Sequence, residues 1–178
     1  APVKLQIGSS ITTGLGAGSN PHVGRQSALE DRTAIAEALE GADMVFITAG
    51  MGGGSGTGAS PVVADIAKEV GALTVAIVTK PFFYEAKTRA INAEEGIREI
   101  KNNVDTLIVI PNDRIALAME KNTPLLKGFA VANDVLRQAI QGISDIVLIP
   151  GLINVDFADV RTIMMNTGRT VIGIGVGK

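Results

Sequence analysis

Nine residues, Gly50 to Gly58 (GMGGGSGTG), constrain this chain more than any other stretch. They follow an apolar, β-branched run, Met44–Ala49, and lead into Ser60-Pro61, a capping hydroxyl ahead of a proline at the first helical position. A glycine loop set between a buried strand and a helix start is an anion site. Backbone amides converge there, the helix dipole adds positive potential, and the missing Cβ atoms let phosphate oxygens approach. A flexible linker would not be bracketed in this way. Two further runs, Leu73–Thr79 and Thr106–Pro111, are nearly all apolar, as parallel strands covered on both faces are. Helical patterns separate them. One runs from the Asn20-Pro21 cap to about Leu39 with Gly41 beyond it, one from Ser60-Pro61 to Gly71, and one from about Glu85 to Lys101. This alternation predicts an α/β fold with a parallel sheet and right-handed crossovers. At 178 residues and 46% apolar, the chain can build one real core.

Beyond the third strand the pattern changes. Leu125, Phe129, Ala132, Leu136, Ile140, Ile143 and Val147 fall on one stripe, which predicts a continuous helix to about Ile149. It would be roughly 36 Å long, with Gly142 a tolerated weakness inside it. Pro150-Gly151 ends it. A loop, a short helix over about Asp156–Met164 and a strand-like run, Thr170–Val176, follow. At the other end Val3–Ile7 reads as a short strand. Neither terminal strand has an evident partner, so the sequence is expected to be the middle of a larger protein.

Several functions are excluded. The net charge is -2 with no basic stripe, which argues against nucleic acid. No apolar run reaches the roughly 18 residues of a membrane span, so direct membrane insertion is not expected. The absence of cysteine removes disulfide and thiolate chemistry. His22, the only histidine, reads as a solvated residue in a first helical turn and cannot build a His-rich zinc site. A Walker loop fits poorly, because Ala59-Ser60 stand where lysine and a hydroxyl residue should. A Rossmann fingerprint can be forced through Gly54, Gly56 and Ala59. Its ribose-binding acid is missing, however, since the next strand ends in Thr79-Lys80-Pro81. A second cluster, Gly14–Asn20 (GLGAGSN), either holds another part of the same polyphosphate or is an ordinary turn.

GMGGGSGTG together with GLGAGSNP, TLIVIPND, NDVLRQ, QGISD and NVDFADV resembles the FtsZ family of cell-division GTPases, within the tubulin superfamily. Ser55 stands for the first threonine of the family's GGGTGTG, and Ala86 stands where the family usually has glycine. The resemblance implies a parallel-sheet, tubulin-like GTPase domain over residues 1–149, lacking its first strands and including a central helix from about 125. The start of a second domain would follow over 150–178. It also implies GTP or GDP as ligand, with Mg²⁺. Gly52, Gly53, Gly54, Ser55, Gly56, Thr57 and Gly58 would hold the phosphates, with Ala17, Gly18 and Ser19 near the γ-phosphate. Glu85 and Arg89 would face the ribose and phosphates. Phe129 would stack on guanine, and Asn133 and Asp134 would read its edge. Asn154, Asp156 and Asp159 match the family's loop that acts on a neighbouring subunit's nucleotide. The partners implied are further copies in a head-to-tail filament, and membrane-tethering division proteins bound through a C-terminal tail. The location implied is the cytoplasmic division ring or the plastid stroma.

If Phe129–Asp134 meet the base, at least sixteen helical residues, about 24 Å, and a loop separate them from Asp159. One nucleotide cannot easily touch both in one chain, so catalysis in trans is expected, and such heterologous contacts build open filaments. Taken alone, Asp156 and Asp159 read equally well as a capping acid and a solvated one. Two other functions remain open at this point: an inactive structural or assembly fragment of such a GTPase, and a nicotinamide oxidoreductase.

Overall fold

The computed structural model describes residues 3–117, 124–148, 157–164 and 168–169. In chain order it contains α1 (Ser9–Thr12), α2 (Pro21–Glu30), α3 (Arg32–Leu39), β1 (Met44–Gly50), α4 (Ser55–Glu69) and β2 (Leu73–Lys80). These are followed by α5 (Lys87–Lys101), β3 (Thr106–Pro111), α6 (Asn112–Leu117), α7 (Leu125–Leu148), α8 (Phe157–Met164) and β4 (Gly168–Arg169).

The three apolar runs form the expected parallel sheet in the order β1-β2-β3, with the two residues of β4 beside the start of β3. β2 is buried at seven of its eight positions, as a central strand covered twice must be. One face, through Val45, Ile47, Ala76 and Val78, packs on Ala64 and Ala67 of α4 and Ala93 and Ile100 of α5. The other face, through Val75, Ile77 and Ile108, packs on Leu136, Ala139, Ile140 and Ile143 of α7. From Leu136 to Ile143 the stripe inferred for α7 is therefore its core face, and the helix runs unbroken through Gly142. A second tier, Ala28, Ile35, Ala59, Val62 and Ile66, fixes α2 and α3 over α4.

Four expectations change. The helix expected from residue 21 to 39 breaks at Asp31, whose carboxylate accepts from the Gly8 amide at 2.6 Å and draws the chain out of helical geometry. The helix expected to open at Ser60-Pro61 opens at Ser55 instead, so the glycine loop supplies its first turn and Pro61 lies inside it. The helix expected from Glu85 begins at Lys87, because Ala86 sits at φ 93°. Val3–Ile7 is not a strand: Val3 and Leu5 are exposed, and no strand pairs with the segment among the described residues. Asn20 caps α2 as expected, accepting from the His22 amide at 3.0 Å, and His22 is exposed. Ile149, Pro150-Gly151, Asn154, Asp156 and Thr170–Val176 lie outside the described residues.

Candidate functional site

The carboxyl ends of β1, β2 and β3 open onto a cleft of about 220 Å³. Gly50, Met51 and Gly53 form one wall, Thr79, Pro81, Glu85 and Arg89 another. Asn112 and the α7 residues Phe129, Ala132 and Asn133 close it. This is the edge where open α/β sheets take ligands.

Its glycine-rich side is built by the way the glycine loop becomes a helix. Gly54 caps α4 without any side-chain acceptor, so the amides of Ser55, Gly56 and Thr57 have no intrahelical partner. Gly58 is the first amide to close a turn, onto the Gly54 carbonyl at 3.0 Å. Thr57 turns its hydroxyl inward and accepts from the Gly52 amide at 2.8 Å, which folds the loop back on the helix.

The glycines are not all there for a ligand. A Cβ on Gly53 would meet nothing, and that position faces the cleft. A Cβ on Gly54 would lie 2.7 Å from Ala17 Cβ and 2.8 Å from the Asn20 nitrogen, and one on Gly58 would overlap the Pro21 carbonyl oxygen. At Gly52, φ is +108° and an added Cβ would lie 2.7 Å from the Arg89 carbonyl oxygen. Glycine at 52, 54 and 58 thus lets backbones touch, a packing reason that spacing alone does not reveal. The same contacts bring the loop at 14–20 against the loop at 50–58, so the second glycine cluster is more than a distant turn.

Glu85 accepts from the Phe82 amide at 2.9 Å and pairs with Arg89 at 2.6 Å, which fixes both side chains at the cleft. Phe129 meets Phe82 edge-on, with ring centroids 5.3 Å apart, and Phe82 in turn stacks on Tyr84 at 5.0 Å. Asp134 turns elsewhere: it is exposed and bonds Arg137 at 3.0 Å and Gln138 at 2.6 Å, which hold its carboxyl below the ordinary value. Of the residues named from sequence, Gly53, Glu85, Arg89, Phe129 and Asn133 line the cleft together. Ala17, Gly18, Ser19, Gly52, Gly54, Ser55, Gly56, Thr57 and Gly58 form the adjoining loops. Asp159 is far from both. It stands exposed on α8, where Arg161 donates to the Gly71 carbonyl and the Met164 carbonyl accepts from Thr106, both at the starting edge of the strands. The eight residues of β2 put that edge roughly 23 Å from the cleft.

Sequence reasoning missed Asn112. It is 5% exposed, lines the cleft, and its Oδ1 has no hydrogen-bond partner within the described protein. A buried unpaired acceptor costs about 1–3 kcal/mol unless something donates to it. The available signal was its place directly after the last residue of a strand, at the edge where ligands bind.

The comparisons agree with this architecture. Residues 1–119 match the Tubulin/FtsZ family, GTPase domain. The chain is 58% identical over 174 residues to the cell division protein FtsZ of Wigglesworthia glossinidia brevipalpis, covering 98% of this chain and 45% of that protein. It superposes on FtsZ of M. jannaschii, solved as an empty dimer, with a TM-score of 0.88 and 51% identity, covering 91% of this chain and 47% of that one. It is also similar to CetZ2 of Haloferax volcanii, solved as a GTPγS-bound protofilament, with a TM-score of 0.73 and 26% identity, covering 90% and 48%. The chain spans about half the length of these relatives. Nothing in the comparisons favours a nicotinamide enzyme.

Proposed function

Because this chain belongs to the tubulin/FtsZ family through that family's GTPase domain, we propose that it binds GTP and GDP in the cleft and forms one half of a polymerising cell-division GTPase. The observation that carries this reading is Asn112 Oδ1. Guanine presents two adjacent N–H donors on its pairing edge, at N1 and the 2-amino group, whereas adenine presents one, the 6-amino group, beside an N1 that can only accept. A buried acceptor with two lone pairs and no donor favours the former. Asn133 joins Asn112 in reading the base and Phe129 stacks on it. Asp134 contributes only by releasing Arg137 and Gln138. The free amides of Ser55, Gly56 and Thr57 take the phosphates, Ala17, Gly18 and Ser19 lie toward the terminal one, and Glu85 and Arg89 flank the ribose.

Among the described residues no three His, Cys, Asp or Glu side chains gather as metal ligands, and Glu85 is already held by Arg89. A Mg²⁺ would therefore ride mainly on the nucleotide's own phosphate oxygens, where it neutralises charge, as this ion commonly does.

Hydrolysis needs the neighbouring copy. Asn154, Asp156 and Asp159 of one chain act on the nucleotide of the next, where acids of this kind orient the attacking water. Support comes from the separation of α8 and the cleft, and from the protofilament in which CetZ2 was solved. The same proposal includes the boundary near residue 149, tethering partners bound through the family's C-terminal tail, and a division-ring location in cytoplasm or plastid stroma. The test is parallel titration of the chain with fluorescent GTP and ATP. GTP is expected to bind at least about tenfold tighter, and Asn112→Ala to remove most of that preference. Equal affinity for both nucleotides would overturn the proposal.

A further inference from the structure

We propose that Asn92 sets the spacing between the two glycine loops and thereby the preference for a triphosphate over a diphosphate; this rests on the nucleotide reading above. Asn92 sits half-buried in the middle of α5, and its side-chain nitrogen donates to two carbonyls, Ser19 at 3.4 Å and Gly52 at 3.5 Å. One belongs to each loop. An amide carries two hydrogens, so one side chain can serve both acceptors, each at the long end of hydrogen-bond range.

The two loops differ in how firmly they are held. The loop at 50–58 is tied to α5 by packing: the Arg89 carbonyl fills the space beside Gly52, and Thr57 lies against Gly96. The loop at 14–20 buries only Ala17 and takes positive φ at Gly14, Gly16, Gly18 and Ser19. Positive φ at Ser19 is a costly conformation that persists only where neighbours enforce it. Among the described residues, Asn92 supplies the side-chain hydrogen bond that reaches this loop from a different element. α5 therefore acts as a fixed beam, with Asn92 the cross-tie from it to the looser loop.

A diphosphate is held by the amides at the start of α4 alone, whereas a terminal phosphate must also meet the loop at 14–20. Loosening the spacing therefore costs the triphosphate more than the diphosphate. Asn92 is not among the residues that line the cleft and is a positioning residue.

The test uses this chain with Asn92→Ala, Asn92→Asp and Asn92→Gln, measuring GTPγS and GDP affinity by calorimetry and amide hydrogen exchange at 15–20. Asn92→Ala is expected to lower the GTPγS-to-GDP affinity ratio roughly five- to tenfold. Exchange at 15–20 should rise severalfold while β1 is unchanged. Asn92→Asp, which sets a carboxylate against two carbonyls, should be at least as damaging, and Asn92→Gln, which keeps the donor, should recover part of the ratio. An unchanged ratio, or equal losses for both nucleotides, would overturn the assignment. If the unaltered chain binds neither nucleotide, the nucleotide reading fails. The exchange measurement then decides Asn92 separately, and unchanged protection at 15–20 in Asn92→Ala refutes it.

Discussion

Replacing Ala86 by glycine should stabilise the protein. Ala86 has φ 93° and ψ 140°, near a region that essentially only glycine occupies, at a cost of about 1–3 kcal/mol for other residues. It is also the N-cap of α5, where alanine is among the poorest choices and glycine is better. Its methyl group is exposed, so removing it forfeits no buried area. Against these gains stands the greater freedom of glycine in the unfolded chain, about 0.4–1 kcal/mol. The balance is a net gain of roughly 1–2 kcal/mol, or about 0.5–1 M in the urea midpoint for a slope near 2 kcal/mol per M. The control is Ala90→Gly, four residues on, exposed and inside the same helix, which should lose about 1 kcal/mol. Urea unfolding followed by circular dichroism measures both. A midpoint for Ala86→Gly that falls, or that moves in the same direction as Ala90→Gly, would refute the strain argument.

Gly58→Ala should destabilise by about 1–3 kcal/mol, because its methyl meets the Pro21 carbonyl and wedges α2 from α4. Gly53→Ala should leave the unfolding free energy within about 0.5 kcal/mol of the parent yet weaken GTP in the nucleotide titration, since that methyl enters the cleft. In the assembling protein, Asp159→Ala should slow hydrolysis by about a hundredfold or more with GTP affinity nearly intact. Lost binding with normal turnover per bound nucleotide would contradict it, as would specific activity that stays constant on dilution. For the pair on α7, Arg137 and Gln138 depress the Asp134 carboxyl below 3.8 in the folded state, so their contribution is complete above that value and fades as pH falls through the folded midpoint. Arg137→Ala should move the Asp134 midpoint upward in an NMR titration, and no movement would mean that the pair is not formed in solution.

The strands and α7 were legible because burial alone dictates them: continuous apolar runs for a sheet covered twice, and a stripe for a helix covered once. The misreadings came where a distant residue decided the outcome. Nothing near Asp31 says that its carboxylate will be taken by Gly8, 23 residues away. Ser60-Pro61 imitates a helix start, yet the glycines ahead of it wind into α4 because α2 and Ala17 press on their bare backbones. The cleft's walls were readable from glycine and aromatic positions. Asn112 was not, since an asparagine after a strand is ordinary until its oxygen is found buried without a donor. Asn92 was silent for the same reason, its two acceptors lying 73 and 40 residues away.

With the cleft at one pole of the sheet and Asp159 toward the other, the molecule behaves as an arrow. In the filament proposed above, copies joined tip to tail would inherit its heading, so a row of them would have two unlike ends however many were added. A single copy disabled only at its tip would still seat at one end of such a row and stop growth there, while the opposite end went on lengthening.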